Sequence, residues 1–314
     1  MQKRLLKIAR PGLPTLGLWQ MSPRSEQLPP VLLVHGATYG AAIFDLELPG
    51  YSLMRELAGG RAVYALDVRG YGASMNGPAM NAPHAQNPPF ARARDAAEDI
   101  AAAVHYIRDT SGADSIDLAG FSWGTITSAL FAQHSPALVR RLALYAPLFG
   151  ERNELWLKRI GSAENPGQLA ERLGAWRLIS LDDTLARWDD DLHGANPSQF
   201  REAGVAEILF AAQAALDPQS LSHAPRAFRC PNGALADLIE VFNGKPLYDP
   251  AALTLPVLLI RGEQDTTATR SDAKQLIDRL ADVRYRAIPG GSHFLCIEKN
   301  RLALYEELRS FLSS

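Results

Sequence analysis

The residues best suited to covalent chemistry lie at positions 120–124, which read Gly-Phe-Ser-Trp-Gly. Residues 116–119 before this stretch, Ile-Asp-Leu-Ala, predict a short buried strand, and residues 125–133 after it predict a helix. A serine on such a strand-to-helix turn projects its hydroxyl at the positive end of the helix, and the flanking glycines let the backbone pack closely around it. This context makes Ser122 a candidate nucleophile.

Two partners for that serine follow predicted strands later in the chain. Asp265 comes shortly after the apolar run 257–260, and His293 comes shortly after residues 285–288. Because ligands bind at the carboxyl edge of an open parallel sheet, Ser122, Asp265 and His293 can converge there despite their distance in sequence. A histidine can accept the serine proton while a carboxylate orients it. Helix capping by Asp265 and simple packing by His293 are the structural alternatives.

With these motifs, in the order serine, aspartate, histidine, the chain resembles the α/β-hydrolase-fold serine hydrolases over nearly everything outside a middle segment. Residues 30–37 also resemble the family's strand and oxyanion loop, which contains a His-Gly pair. The resemblance implies that the backbone N–H groups of Ala37 and Trp123 form the oxyanion hole. His35 is then expected to shape the loop.

A further motif at positions 67–74 reads Asp-Val-Arg-Gly-Tyr-Gly-Ala-Ser. It resembles the turn that, in this family, follows the strand expected here at residues 62–66. Its glycines permit a tight turn, and we expect Asp67 and Arg69 to fix loop backbone instead of touching substrate. Asp67 is the rival to Asp265 as the catalytic acid. The resemblance favours Asp265, because the family's acid follows the nucleophile.

The oxyanion loop departs from the family's commonest pattern, His-Gly-x-x-Gly. Residues 35–40 read His-Gly-Ala-Thr-Tyr-Gly, with one more residue before the second glycine. Two interpretations of Tyr39 stay open: its hydroxyl hydrogen-bonds a substrate, or its ring packs under a lid.

The composition is that of an ordinary globular protein. The 314 residues are 47% hydrophobic and 21% charged, with a formal net charge of −2 and a pI near 6.4. These values give no case for nucleic-acid binding, and no segment has the apolar length of a membrane span or a secretory signal. Cys230 and Cys296 are expected to be reduced thiols in a cytoplasmic protein, although a single disulfide bridge stays open.

Alternating strand and helix patterns predict an α/β fold. Residues 3–8 and 16–21 predict antiparallel edge strands, and buried strands are expected near Val31, Ala62, Ile116, Leu142, Val257 and Tyr285. The expected architecture is a mostly parallel eight-stranded sheet flanked by helices. Residues 1–146 and 251–314 form its core domain, and residues 147–250, after the sixth strand, form a helical cap or lid that carries helical patterns instead of strands.

The lid and nearby loops are expected to set substrate choice. The candidate substrate-binding residues are Tyr39, Trp123, Tyr145, Trp156 and Trp188. Residues 147–250 carry ten Lys/Arg and fifteen Asp/Glu, a balance of −5, which mildly disfavours highly anionic substrates. Part of that charge is the run at 189–191, which is expected to be solvated.

The sequence predicts a hydrolase of small or medium, largely apolar carboxylic esters or lactones, acting through an acyl-enzyme. No metal or organic cofactor is expected, because no phosphate-binding loop, dinucleotide motif or metal-ligand spacing occurs. Amide or peptide-bond cleavage and carbon–carbon bond hydrolysis are the alternatives within this fold. From a different class, the chain could be a ligand receptor that does not turn over. The expected partner is a small ester or amide, and the protein a monomer or homodimer.

Overall fold

The chain alternates strands and helices around one extended sheet. The computed structural model describes residues 2–23, 27–171, 173–192 and 194–314. Within these ranges the strands are β1 (Gln2–Arg10), β2 (Leu13–Ser22), β3 (Val31–Val34), β4 (Val63–Asp67), β5 (Ile116–Phe121), β6 (Val139–Tyr145), β7 (Trp176–Ser180), β8 (Ala227–Pro231), β9 (Val257–Gly262) and β10 (Val283–Ile288).

Helices cover both faces of the sheet, as expected for parallel strands joined by crossovers. The α-helices are α1 (Leu53–Leu57), α2 (Pro78–Asn81), α3 (Ala93–Ser111), α4 (Trp123–His134), α5 (Glu154–Ile160), α6 (Leu181–Asp189), α7 (Val205–Ala214), α8 (Gly233–Phe242), α9 (Arg270–Ile277) and α10 (Arg301–Ser313). The apolar face of α3, which includes Ile100, Val104 and Ile107, is buried.

Eight strands form the main sheet in the order β1-β2-β4-β3-β5-β6-β9-β10. β1 pairs antiparallel with β2, β2 pairs antiparallel with β4, and the remaining neighbours are parallel. The predicted eight-stranded, mostly parallel sheet is confirmed. The chain leaves β3 toward β4 on one side and later enters β5 on the other. The loops after β3 and β5 therefore open a crevice at the carboxyl edge of the sheet.

Burial follows the position of each strand in the sheet. β3, β4 and β5 are buried along their whole length because strands flank them on both sides and helices cover both faces. β10, in contrast, is an edge strand that pairs only with β9. The expectation of a buried strand at Tyr285 is therefore wrong in part, since β10 is half-exposed or exposed except at Ile288.

The segment between β6 and β9 contains α5 to α8 and a separate two-stranded sheet. β7 and β8 pair antiparallel, with Trp176 opposite Pro231 and Ser180 opposite Ala227. The expectation that residues 147–250 carry helices instead of strands is wrong at these two places. The two strands are short and far apart in sequence, so local periodicity could not indicate that they pair.

Candidate active site

Ser122 lies on the sharp turn between β5 and α4. Its backbone has φ 56° and ψ −120°, a conformation that a non-glycine residue rarely adopts. The neighbouring glycines are required by space: a Cβ added at Gly120 would lie 2.3 Å from the carbonyl oxygen of Gly124, and one added at Gly124 would lie 2.4 Å from that of Val34. The turn holds the Ser122 hydroxyl above the sheet edge at the start of α4.

The structure brings the three candidate side chains together. His293 Nε2 lies 2.9 Å from Ser122 Oγ, and His293 Nδ1 lies 2.9 Å from Asp265 Oδ2. Asp265 follows β9 and His293 follows β10, so the carboxyl ends of three strands supply the three groups. All three side chains are buried, which limits competition from water for their hydrogen bonds.

Asp265 is held by both of its carboxylate oxygens. Oδ2 faces His293, while Oδ1 accepts hydrogen bonds from the backbone N–H groups of Thr267 and Ala268, each at 2.8 Å. The N-cap of α9 is Thr269, so Asp265 is not the residue that caps this helix. Its geometry is that of a fixed partner for the imidazole.

The loop after β3 approaches Ser122 closely. A Cβ added at Gly36 would lie 3.0 Å from Ser122 Cβ, so glycine allows this contact. Within the described part of the chain, the backbone N–H groups of Ala37 and Trp123 donate to no protein acceptor. The hydroxyl of Tyr71 donates to the Ala37 carbonyl at 3.0 Å and restrains the loop. Two amide donors are therefore available beside the candidate nucleophile.

His35 ties the same loop to the turn after β4. Its Nε2 accepts the N–H of Val68 at 3.1 Å, and its Nδ1 donates to the Gly36 carbonyl at 2.8 Å. Burial lowers the pKa of His35 to about 4, which keeps the imidazole neutral in this position. The expected loop-shaping role of His35 is confirmed by these contacts.

Asp67 also holds loop backbone, as expected. Its carboxylate accepts the N–H of Ala41 at 2.7 Å, the N–H of Ala73 at 2.9 Å and the indole N–H of Trp19 at 2.9 Å. Burial raises the pKa of Asp67 despite these donors. Its partners connect β2 and the loops after β3 and β4, and none of them is the imidazole of His293.

A cavity of about 280 Å³ opens over Ser122 and His293. Of the predicted substrate-binding residues, Tyr39 and Trp156 line this cavity. Leu235 and Leu238 of α8 and Ile160 of α5 contribute apolar side chains to its wall. The size suits a small or medium ligand.

Trp123, Tyr145 and Trp188 do not line the cavity. The indole N–H of Trp123 donates to Asp237 Oδ2 at 3.0 Å, and that of Trp188 donates to Glu298 Oε1 at 3.0 Å. The Tyr145 hydroxyl donates to the His293 carbonyl at 2.7 Å. Each side chain satisfies its buried polar atom within the protein and is thereby drawn away from the cavity, which sequence position alone could not indicate.

Comparison with known proteins identifies the family of the chain. A family model described as the alpha/beta hydrolase fold matches residues 29–300. The chain belongs to the α/β hydrolase fold family. Among curated proteins, none matches the sequence significantly.

Solved α/β hydrolase structures resemble the whole chain at low sequence identity. E-2-(acetamidomethylene)succinate hydrolase is 20% identical with a TM-score of 0.66, covering 100% of this chain and 99% of its own. The enol-lactonase from Burkholderia xenovorans LB400 is 18% identical with a TM-score of 0.61, covering 96% and 97%. An esterase from Exiguobacterium antarcticum is 17% identical with a TM-score of 0.60, covering 96% of both chains. At these identities the likeness shows the shared fold.

Asp191 is a site residue that sequence analysis missed. The expectation that residues 189–191 form a solvated run is wrong at Asp191, which is buried. Its Oδ2 accepts the backbone N–H of His293 at 3.3 Å, and its Oδ1 accepts the Thr266 hydroxyl at 2.5 Å. Burial alone would raise the pKa of Asp191, but Arg187 and His293 hold it below the ordinary value. A second carboxylate therefore lies behind the imidazole.

In the described ranges, Asp191, Asp265 and His293 form a cluster with ligand atoms within 4.8 Å of one another. These are residue types that bind metals. Asp265 and His293 already pair with each other, and Asp191 pairs with Arg187 and Thr266. The arrangement is that of an internal hydrogen-bond network.

No helix in the described residues combines the length and apolar character needed to cross a bilayer.

Proposed function

We propose that the protein is a serine hydrolase that cleaves small or medium carboxylic esters, lactones included, through an acyl-enzyme. The observation that carries this proposal is the chain of two 2.9 Å contacts from Ser122 Oγ through His293 to Asp265, at the floor of a cavity. This arrangement is the one that activates a serine hydroxyl.

In the proposed first step, Ser122 Oγ attacks the substrate carbonyl carbon while its proton passes to His293 Nε2. Asp265 accepts the Nδ1–H, which fixes the tautomer and stabilises the imidazolium. The carbonyl π electrons move to oxygen, where the N–H groups of Ala37 and Trp123 stabilise the charge. Such donors each contribute about 100- to 1000-fold to turnover.

The proposed tetrahedral intermediate then collapses, and the alkoxide leaving group takes the proton from His293. Water enters, His293 removes one of its protons, and the hydroxide attacks the acyl-enzyme. Collapse of the second intermediate breaks the bond to Ser122 Oγ, which recovers its proton from His293. The products are an alcohol and a carboxylic acid, and the enzyme returns to its initial state.

We also propose that residues 147–250 act as a cap that encloses the reacting atoms. Trp156, Ile160, Leu235 and Leu238 from this segment are buried and line the cavity, which supports this role. Exclusion of water strengthens the electrostatic contacts that the reaction uses. The apolar wall supports an acyl group or alcohol of moderate size.

The reaction class is tested with p-nitrophenyl esters of increasing acyl length and matched p-nitroanilides. We expect wild-type enzyme to hydrolyse esters faster than anilides, and Ser122→Ala to fold normally and lose ester turnover. Ser135→Ala, at the far end of α4, is the matched control and is expected to retain activity. Faster anilide cleavage would favour an amidase, and appreciable hydrolysis by pure, folded Ser122→Ala would overturn the proposed nucleophile.

A further inference from the structure

The cavity over Ser122 has a cationic wall that the overall charge of its covering segment does not reveal. The described lining residues include three arginines, Arg159, Arg177 and Arg187, and one aspartate, Asp183. Arg159 already pairs with Asp190, which leaves Arg177 and Arg187 as the arginines of interest. Asp183 accepts the backbone N–H and the hydroxyl of Ser180 at the start of α6, so its carboxylate serves a helix cap. The net charge of −5 for residues 147–250 therefore does not describe the charge of the cavity lining.

Arg177, on β7, has only neutral acceptors among the described residues. Its Nη1 donates to the Pro231 carbonyl and to Asn232 Oδ1, both at 2.9 Å, and its Nη2 lies 3.2 Å from Thr38 Oγ1. These contacts fix the guanidinium beside the oxyanion loop without neutralising it. A fixed, uncompensated guanidinium in a cavity wall attracts an anion.

Arg187, on α6, has one N–H donor without a hydrogen-bond acceptor among the described residues. Its Nη2 donates to Thr267 Oγ1 at 2.8 Å, and the guanidinium lies 4.9 Å from the ring centroid of Trp156. Nη1 is buried and forms no hydrogen bond within the described residues; it lies 3.4 Å from Asp191 Oδ2. Asp191 offsets part of the Arg187 charge, but a buried donor without a hydrogen-bond acceptor is costly, and an anionic ligand would supply that acceptor to Nη1.

Both arginines line the cavity over Ser122, and each contacts a loop that carries a candidate site residue. Arg177 contacts the loop that carries Ala37, and Arg187 contacts the loop that follows Asp265. Tyr39, which also lines the cavity, lies within the field of both charges: burial raises its pKa to about 12, and both guanidinium groups oppose this shift. Both positive charges therefore act on the same part of the cavity.

We propose that this cavity recognises a carboxylate on the substrate, held by Arg177 and Arg187 while the ester carbonyl lies at Ser122. This inference rests on the proposed function and narrows it to half-esters of dicarboxylic acids or other esters that carry a carboxylate. The planar fork of arginine matches a carboxylate, and a charge-assisted pair of this kind changes binding by about 10- to 100-fold.

The kinetic test compares mono-p-nitrophenyl adipate with p-nitrophenyl hexanoate, which have acyl chains of equal length. We expect wild-type enzyme to favour the adipate in kcat/KM. The ratio of the two kcat/KM values should fall about 10- to 100-fold in Arg177→Gln and in Arg187→Gln. Arg177→Lys keeps the charge without the fork and should restore part of the ratio. Because each variant is compared with itself, a general loss of activity does not affect the ratio.

Arg152→Gln is the matched control, since Arg152 is exposed, pairs with Glu154 and is not among the residues that line the cavity. It should leave the ratio within about twofold of the wild-type value, as expected for a surface ion pair. A ratio that stays unchanged in both Arg177→Gln and Arg187→Gln, or that falls equally in Arg152→Gln, would overturn the inference.

A binding measurement separates this inference from the proposed reaction. Ligand-observed NMR on Ser122→Ala should detect tighter binding of monomethyl adipate than of dimethyl adipate, and Arg177→Gln in that background should remove the preference. This result would support carboxylate recognition even if wild-type enzyme hydrolysed neither p-nitrophenyl ester, an outcome that would refute the proposed ester hydrolysis. Equal binding of the two adipates would overturn carboxylate recognition whatever the kinetics.

Discussion

At the scale of single residues, the site depends on carboxylates whose oxygens all have assigned donors. Asp265 joins the imidazole of His293 to two backbone N–H groups, and Asp67 joins three donors from separate elements. Both aspartates are therefore buried, but Asp265 orients an imidazole and Asp67 orients loop backbone. Exchange for asparagine distinguishes their roles because it preserves shape and removes acceptor capacity.

Asp265→Asn should reduce kcat by about 1000- to 10,000-fold with little change in melting temperature, because an amide favours the wrong imidazole tautomer. Asp67→Asn should lower the melting temperature and leave kcat of the folded enzyme closer to wild type, since its partners are loop backbone. Steady-state kinetics and thermal unfolding of both variants provide the comparison. If Asp67→Asn were the more damaging to kcat in a folded protein, Asp265 would not be the acid.

His35 should make the fold sensitive to acid. Its folded-state pKa of about 4 lies below the ordinary value of 6.5, so the neutral form is favoured in the folded state. The contribution of neutral His35 to the free energy of unfolding is fully present above pH 6.5 and is lost as the pH falls through about 4. The loss between pH 7 and pH 4 is about 3 kcal/mol.

Denaturant unfolding between pH 7 and pH 4 measures this contribution. His35→Asn should be less stable than wild type at pH 7 and should lose less stability on acidification. His105→Asn, at an exposed position of α3, is the control and should keep the wild-type slope. Equal slopes in wild type and His35→Asn would refute this account of His35.

The proximity of Ser122, Asp265 and His293 is predictable from the sequence, because each residue follows a segment with a recognisable strand pattern. The arginines of the cavity wall and the position of Asp191 are not predictable in this way. Arg177 faces the cavity because β7 pairs with a distant strand, and Asp191 is buried where Thr266 and the backbone of His293, both distant in sequence, meet it. Such placements depend on long-range packing, which local patterns do not specify.

At the scale of elements, the turn between β5 and α4 depends on its glycines. Gly124 of α4 packs against the end of β3, where an added Cβ would lie 2.4 Å from the Val34 carbonyl oxygen and 2.5 Å from that of His35. This contact joins β3, which leads into the loop that carries Ala37, to α4, which begins after Ser122. A small residue at position 124 is therefore required for the loop after β3 to pack against the turn after β5.

Gly124→Ala should destabilise the protein by about 1–3 kcal/mol or more, because backbone must move to accommodate the methyl group. It should also lower kcat by displacing the Trp123 amide. Gly59→Ala is the matched control, since an added Cβ there has nothing within 4 Å. Chemical unfolding and ester kinetics test both variants, and a Gly124→Ala protein as stable and active as Gly59→Ala would contradict this account.

The strands of the main sheet were predictable and the β7–β8 pair was not. β3 is an uninterrupted apolar run and β5 carries only one charged residue, Asp117, which is typical of strands buried on both faces. β7 and β8 mix arginines with apolar residues, and Arg229 is buried by its ion pair with Asp217. Because a buried arginine interrupts the apolar pattern, the sequence does not predict β8 as a buried strand.

At the scale of the whole molecule, the carboxyl edge of the sheet holds the candidate site and the amino end holds a buried charge cluster. Asp117, at the start of β5, pairs with Arg61 and Arg140, each at 2.6 Å, and both arginines donate to the Leu312 carbonyl in α10. The cluster anchors the C-terminal helix beneath the sheet. The candidate site and this ion-pair cluster therefore lie at opposite ends of β5.

Asp117→Ala should destabilise the protein by about 3–5 kcal/mol, because Arg61 would remain buried without its partner. The kcat and KM of the folded variant should stay near wild type, since the change lies at the opposite end of β5 from Ser122. Asp278→Ala removes an exposed i,i+4 pair with Lys274 and should change stability by less than about 1 kcal/mol. Equal stability of the two variants would contradict the assigned role of the cluster.

The central claim is that Ser122 is an activated nucleophile, and labelling with a fluorophosphonate followed by peptide mass spectrometry tests it most directly. We expect one adduct per wild-type chain, on the peptide that contains Ser122, no adduct in Ser122→Ala, and much slower labelling in His293→Ala. An adduct on a different residue, or the absence of labelling in active, folded wild-type protein, would contradict the account.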